Sequence, residues 1–186
     1  MRPPVPDRQL LHTRQVHYQG YERPDGLFDL EATLLDTKPF DIELEGEGPL
    51  AADQPLHGMR LRVSIDMQFI VHELEVAMDH APHGECQAAR EPMRRMIGCS
   101  MRKGWRLAIE ERLGKVQGCA HLRELLMNMG TVAIQSLSLR IKQVNADDSR
   151  PPMPLGGCLA WDPAGPLVAR IFPQFSIKVD PAGSGS

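Results

Sequence analysis

Two cysteines occupy positions in this sequence where a thiol can become reactive or bind a metal ion. Cys86 follows a glycine-containing turn and Cys119 follows Gly118, and each stands at the start of a predicted helix. A helix N-terminus presents free backbone N–H groups and a partial positive charge, which lower the pKa of a thiol. The thiolate is the form that attacks electrophiles or binds metal, so both cysteines are candidate site residues. The alternative is that each is an inert core residue, as free cysteines often are.

Histidines near these cysteines could complete a site. His57 lies in a loop before a predicted strand, beside Gly58, whose small size lets a ligand approach the backbone. His121 follows the second cysteine by two residues, a spacing that within a helix turns two side chains about 200° apart, so both need not face one site. His83 precedes the first cysteine, and Asp79 could hold a ligating histidine in place or simply end a strand. The chain contains no CxxC pair, HExxH, glycine-rich phosphate loop or GxSxG elbow.

Composition narrows the class of protein. The chain has 186 residues, of which 42% are hydrophobic, and this suits one domain with an ordinary core. A net charge of −3 gives no basic face, so we expect no nucleic-acid partner. No apolar run approaches the roughly 20 residues that span a bilayer, and the N-terminal residues lack the apolar core of a signal peptide. We therefore expect a cytoplasmic protein with no membrane association, whose four cysteines stay reduced. The oligomeric state stays open.

The first half of the chain has the alternation of half-buried strands. Two strands over residues 12–23 and 27–36 flank the turn residues Pro24, Asp25 and Gly26, which predicts a β-hairpin. After a predicted loop over residues 45–56, the alternation predicts a second pair of strands, at Met59–Ile65 and at Phe69–Met78. Both hairpins should belong to one antiparallel sheet.

Helical patterns follow the strands. Predicted helices cover residues 86–97, 103–113 and 118–141, and a strand-like piece covers residues 167–172. Strands followed by helices favour an α+β fold, with about three helices packed on one face of the antiparallel sheet. We expect an irregular lead-in over residues 1–11, a single α+β domain over residues 12–179, and a flexible tail over residues 180–186.

Five segments stand together in a recognisable order: HTR at 12–14, GYERPDGLFD at 20–29, LDTK at 35–38, PLHGM at 55–59 with LR at 61–62 and ID at 65–66, and GCAHLREL at 118–125. They resemble a bacterial family of unknown function that carries a GCTHLxEL signature, over roughly residues 12–172. The family's name implies no activity. This chain has Ala120 where the signature usually has Thr and Gly58 where Asp is common. It also has Leu159 after Cys158, where the family often shows Cys-His, which counts against Cys158 as a site residue.

The order of parts over residues 55–139 is similar to that of the U-type iron–sulfur scaffold proteins. Those proteins present one ligand in a loop before a strand, a second at a helix start after a glycine turn, and a third at the start of a late helix. In this sequence His57, Cys86 and Cys119 match those places, and His121 lies near the third. The resemblance implies that these residues converge. Because His57 stands where the scaffold has a Cys, a mixed Cys/His set binding zinc fits the same positions.

Three functional hypotheses follow. The first is a protein that binds zinc or an iron–sulfur cluster through Cys86, Cys119, His57 and His121, as an accessory to a protein partner or redox enzyme. The second is a small-molecule enzyme with a Cys119 thiolate and His57 or His121 as base. In another form of this hypothesis, Asp25 and Arg23 in the first hairpin turn bind an anionic substrate. The third is a non-catalytic assembly module, which exposed apolar side chains at Met101, Trp105 or Phe172 would indicate.

Overall fold

The computed structural model describes residues 7–144 and 150–177, and its central element is a four-stranded antiparallel sheet. The strands are β1 (Thr13–Glu22), β2 (Phe28–Thr37), β5 (Pro55–Ile65) and β6 (Val71–His80), and they are hydrogen-bonded in the order β1-β2-β5-β6. Two short strands, β3 (Ile42–Leu44) and β4 (Gly48–Leu50), pair with each other in a separate hairpin. The sheet therefore consists of two hairpins joined through β2 and β5, as the alternation predicted.

Alternation explains which face of the sheet is buried. In β2 the side chains of Phe28, Leu30, Ala32 and Leu34 are at most 4% exposed, whereas those between them are half-buried or exposed. In β5 the buried apolar positions are again every second residue: Met59, Leu61, Val63 and Ile65. These residues are cross-strand neighbours, because Leu30 lies opposite Val63 and Ala32 lies opposite Leu61. One sheet face is therefore apolar and needs a covering layer.

Helices supply that layer. They are a 3₁₀ helix over Gly84–Met96, α1 over Trp105–Leu113 and α2 over Ala120–Val144. Their buried apolar side chains include Met93, Met96, Ile109, Leu113, Leu122, Leu125, Leu126, Met129, Ala133 and Leu137. The fold is α+β, as predicted.

Two contacts tie α2 closely to its neighbours. The indole N–H of Trp105 donates to the carbonyl of Leu126 at 2.7 Å. At Gly20 on β1, an added Cβ would lie 2.0 Å from the Oγ of Ser136, so glycine allows α2 to pass directly over the edge strand. Because Ser136 lies in the later part of α2 and Gly20 near the end of β1, this contact places that part of the helix over the end of the edge strand.

Local structure differs from the sequence predictions in three places. The first predicted helix is a 3₁₀ helix with Pro92 inside it. The expected loop over residues 45–56 contains β4 and the first residues of β5. The strand-like piece over residues 167–172 is wrong, because Pro166–Ile171 form helix α3, which begins after Gly165 and has Pro at its first position.

The chain divides into two compact units, residues 1–137 and 138–186. Within the second unit, α3 is accompanied by 3₁₀ turns at Leu159–Trp161 and Pro173–Phe175, and the rings of Trp161 and Phe172 lie 5.8 Å apart. The expected tail over residues 180–186 and the first six residues of the lead-in lie outside the described residues. Within the described part of the chain, every helix is too short or too polar to cross a bilayer.

Candidate metal and thiol site

Three polar side chains form a row across the end of the sheet. Arg14 on β1 lies opposite Asp36 on β2, and Asp36 lies opposite His57 on β5. All three stand on the sheet face that the helices cover, because Asp36 continues the buried alternation of β2 by one step beyond Leu34. The pairing of β2 with β5 shifts register immediately after Asp36, and such irregularities often re-aim side chains next to functional sites.

Asp36 is the centre of this row. Its side chain is 1% exposed, and its carboxylate accepts four hydrogen bonds. Nε and Nη2 of Arg14 donate to its two oxygens at 2.8 Å each, while His12 and His57 lie at 3.0 Å. Burial raises the pKa of Asp36, but the hydrogen bonds and charge of Arg14, helped by His12, outweigh burial and lower the pKa to about 2. The carboxylate is therefore ionised at neutral pH.

His57 is held by Asp36 in one orientation. Its Nδ1 lies 3.0 Å from Oδ2 of Asp36, and an ionised carboxylate only accepts hydrogen bonds, so Nδ1 carries the proton. Burial lowers the pKa of His57, and the neighbouring His121 lowers it further, whereas Asp36 opposes both effects. The net direction is down, which favours the neutral ring at pH 7. In that ring Nε2 has a free lone pair.

His121, in the first turn of α2, packs against His57. The two ring centroids are 4.0 Å apart and the rings are tilted by 42°. Asp36, His57 and His121 each offer a ligand atom, and these three atoms lie within 4.8 Å of one another. The structure therefore brings together two of the predicted site residues, His57 and His121, with a third group, Asp36, that the sequence analysis passed over.

Cys119 lies beside His121 at the N-terminus of α2. Its Sγ is 3.8 Å from Nδ1 of His121. The residue precedes the helix rather than belonging to its first turn, because α2 begins at Ala120, so the expected divergence of about 200° between two helical positions does not apply. Burial raises the pKa of the Cys119 thiol, but the hydrogen bond to His121 and the backbone N–H groups of Leu122 and His121 outweigh burial and lower it.

Other predicted residues lie apart from this cluster. Cys86 is half-buried in the 3₁₀ helix, and among residues 7–144 and 150–177 it belongs, like Cys119, to no group of three metal-ligand side chains. What distinguishes Cys119 is its contact with His121. His83 is paired loosely with Glu47, at 3.7 Å. Asp79 is bound by Arg60 at 2.9 and 3.0 Å, so it serves that arginine and not a ligating histidine.

Gly58 has a structural role on the opposite sheet face. An added Cβ there would lie 2.8 Å from Cδ2 of His80, so the glycine makes room for that ring. The close approach that the sequence suggested at this glycine is therefore made by a histidine side chain of β6.

Arg23, predicted to bind an anionic substrate, donates hydrogen bonds to carboxylates of the protein itself. Its guanidinium donates to Asp25, Asp29 and Glu73. Met101 and Trp105, whose exposure would indicate an assembly module, are 3% and 5% exposed.

Arg14 also connects the site to helix α2, through Glu124. Nη1 of Arg14 donates to Oε2 of Glu124 on α2 at 2.6 Å, so the arginine links sheet and helix.

A sequence signal for Asp36 existed: it follows Phe28, Leu30, Ala32 and Leu34 at the same period-two spacing, and a carboxylate on the apolar side of a strand requires a partner. Nothing in the sequence identified Arg14 as that partner.

Comparison with known families gives one match. The family described as "Protein of unknown function (DUF2889)" matches residues 12–135. The chain belongs to this family. The DUF2889 region contains the complete cluster, from His12 and Arg14 to His121 and Glu124. No curated protein and no solved structure matches the chain. The GCTHLxEL signature and the likeness to iron–sulfur scaffolds stay predictions.

Proposed function

We propose that this protein binds a transition metal ion, zinc in the first place, through Cys119, His121 and His57. The observation that carries the proposal is the convergence of His57, His121 and Asp36, whose ligand atoms lie within 4.8 Å of one another, with the Cys119 thiol next to His121. In this proposal Asp36 does not bind the ion. It accepts the Nδ1 proton of His57 and so directs the Nε2 lone pair of that ring toward the ion, as carboxylates behind metal-bound histidines do.

The distances support a shared ion. Zinc binds thiolate sulfur at about 2.3 Å and imidazole nitrogen at about 2.0 Å, so the two atoms on one tetrahedral ion lie about 3.5 Å apart. The Sγ of Cys119 and Nδ1 of His121 are 3.8 Å apart. The ligand atoms of His57 and His121 lie within 4.8 Å of each other.

The protonation states support the same conclusion. Metal ligands must be deprotonated, which means a thiolate for Cys and a neutral ring for His. The pKa of Cys119 is lowered, which favours the thiolate, and the pKa of His57 is lowered, which favours the neutral imidazole. Both groups therefore reach their ligating forms at little cost near neutral pH.

Within this proposal zinc is preferred to an iron–sulfur cluster. Clusters are held mainly by several thiolates. Cys119 offers one thiolate through its contact with His121, and Cys86 is not among the ligand side chains gathered in the described part of the chain. One sulfur with two imidazoles is a set that zinc accepts and leaves a fourth position for water or a substrate.

A second candidate function is thiol chemistry on a small molecule. The lowered pKa of Cys119 and its contact with His121 support it, because a thiolate with an adjacent imidazole is the usual arrangement of a cysteine nucleophile. The two functions differ in one requirement: the metal site needs His57, whereas a Cys119–His121 pair does not.

The test is elemental analysis of protein purified without oxygen, followed by titration with Co²⁺ as a spectroscopic substitute for zinc. We expect one metal ion per chain and a thiolate-to-Co²⁺ absorption band. Binding should weaken at least about 100-fold in Cys119→Ser and His57→Gln variants, since each removes one of three protein ligands. Cys158→Ser and Cys86→Ser are matched controls that should bind as the unaltered protein does.

Two other results would change the proposed function. No bound metal after reconstitution with zinc and with iron and sulfide would overturn the proposal and leave thiol chemistry as the better reading. If the protein has an iron–sulfur chromophore that Cys86→Ser loses, the bound group is an iron–sulfur cluster and not zinc.

A further inference from the structure

One guanidinium occupies both oxygens of the carboxylate nearest to the two histidines. Nε of Arg14 donates to Oδ1 of Asp36 and Nη2 donates to Oδ2, each at 2.8 Å. Because the arginine fork matches a carboxylate in two parallel hydrogen bonds, it engages both oxygens at once. Asp36 is also 1% exposed, so no second face of the carboxylate is open to solvent.

Without that pairing the same residues offer a different metal site. Asp36, His57 and His121 together have the two-histidine, one-carboxylate composition that suits Fe²⁺ and Mn²⁺. With Asp36 withheld, the ligands that remain are His57, His121 and the Cys119 thiolate, and thiolate favours zinc. Zinc also accepts a carboxylate, so an available Asp36 would not exclude zinc but would add an oxygen ligand that favours Fe²⁺ and Mn²⁺.

We propose that Arg14 is the specificity-determining residue of this site: by holding both oxygens of Asp36, it keeps the carboxylate away from the ion and directs binding toward zinc. This inference rests on the proposed function. Glu124 braces the arginine from the other side, because its Oε2 accepts from Nη1 at 2.6 Å. Arg14 thus has donors directed at both carboxylates, and it cannot turn away from Asp36 without losing the contact with α2.

The test compares the ratio of Zn²⁺ to Mn²⁺ affinity in the full chain and in Arg14→Lys. Lysine keeps the positive charge but presents a single ammonium instead of a planar fork, so it cannot make the two parallel hydrogen bonds to Asp36. The oxygens of Asp36 then keep their contacts with His12 and His57, and one lone pair that Arg14 occupied becomes available. We expect Mn²⁺ to gain at least about 10-fold relative to Zn²⁺. We also expect the visible absorption of bound Co²⁺ to weaken and shift, as an added oxygen ligand raises the coordination number.

Arg60→Lys is the matched control. Arg60 holds Asp79 in the same two-point manner, at 2.9 and 3.0 Å, but it lies on the opposite face of the sheet. This variant should leave the affinity ratio and the Co²⁺ spectrum unchanged. Circular dichroism of each variant checks that the fold is kept.

The outcomes separate this inference from the proposed function. If the unaltered protein binds neither Zn²⁺ nor Co²⁺, the proposed function itself fails. If it binds both but Arg14→Lys matches Arg60→Lys, only the role of Arg14 is overturned. A folded Arg14→Lys that loses all metals equally also overturns it, because the arginine would then hold the site together without selecting the ion. If Arg14→Lys does not fold, Glu124→Gln decides: a shift toward Mn²⁺ of about 3-fold supports the inference, and no shift overturns it.

Discussion

At the scale of single residues, the surroundings of Cys119 alter the chemistry of its thiol. The hydrogen bond to His121 and the helix N–H groups outweigh the effect of burial and lower the pKa of the Cys119 thiol from its ordinary value of 9.0. The thiolate should therefore form at a lower pH than in an ordinary cysteine. We expect alkylation of metal-free protein by iodoacetamide to reach half its maximal rate below pH 9.0. The measurement uses a Cys86→Ser, Cys158→Ser background, in which Cys99, 7% exposed, is shielded.

A His121→Gln substitution in the same background is the informative comparison. It removes the imidazole that lowers the pKa of the thiol, so the midpoint of the pH–rate profile should move upward. Identical midpoints with and without His121 would contradict the pairing of these side chains. A matched change at His83→Gln, which is paired with Glu47, should leave the profile unaltered.

Asp36 gives a prediction about acid stability. Its pKa is lowered from 3.8 to about 2, so its stabilising contribution is complete above pH 3.8 and is lost as the pH falls through about 2. A shift of this size corresponds to about 2 kcal/mol of unfolding free energy. Urea unfolding between pH 6 and pH 2 should show the stability difference between the unaltered protein and Asp36→Asn shrinking as the pH falls. Glu111→Gln, an exposed carboxyl on α1, is the control.

A stability difference between the unaltered protein and Asp36→Asn that stayed constant down to pH 2 would show that the carboxylate is not held by Arg14. The same result would also remove the basis for the role assigned to Arg14 at the metal site.

At the scale of elements, the placement of α2 over β1 depends on Gly20. An alanine Cβ would lie 2.0 Å from Oγ and 2.9 Å from Cβ of Ser136, which forces helix and strand apart. We expect Gly20→Ala to destabilise the protein by about 1–3 kcal/mol, as overpacking does. Adding Ser136→Gly should recover part of that loss. Gly84→Ala, where an added Cβ meets nothing within 4 Å, should change stability by less than about 0.5 kcal/mol in the same urea titrations.

An equal cost of Gly20→Ala with and without Ser136→Gly would contradict this contact. The test also bears on the site, because the same helix carries His121 and Glu124 in its first turns.

The sequence was informative about elements where one face of an element is buried. The period-two pattern of β2 and β5 predicted the sheet because their alternate side chains are buried. It failed for β3 and β4, whose three residues each are too few to show a period. It also failed at Pro166–Ile171, where Leu, Val and Ile favoured a strand but Gly165 and Pro166 mark a helix start.

The candidate site was predictable only in part, for a physical reason. Alternation could have marked Asp36 as a buried carboxylate, since it continues the buried side of β2. The approach of His121 to His57, however, depends on how α2 crosses the sheet, and no local pattern records that crossing. The same reason explains Cys86, whose placement after a glycine resembled that of Cys119, although Cys86 lies inside the 3₁₀ helix and Cys119 directly precedes α2.

At the scale of the whole molecule, a bound ion should act as a cross-link. His57 belongs to β5, whereas Cys119 and His121 belong to the start of α2, so the unfolded chain has no preformed site and binding stabilises only the folded state. Zinc at about 100 times its dissociation constant should add about 2.7 kcal/mol to the free energy of unfolding and raise the thermal midpoint by about 5–10 °C. Because the ligands must be deprotonated, the gain should shrink as the pH falls and protons compete with the ion for them. Calorimetry with and without zinc measures this, and Cys119→Ser is the control that should show little gain. An equal zinc-induced rise in that variant would mean that the ion stabilises the protein from somewhere other than this cluster.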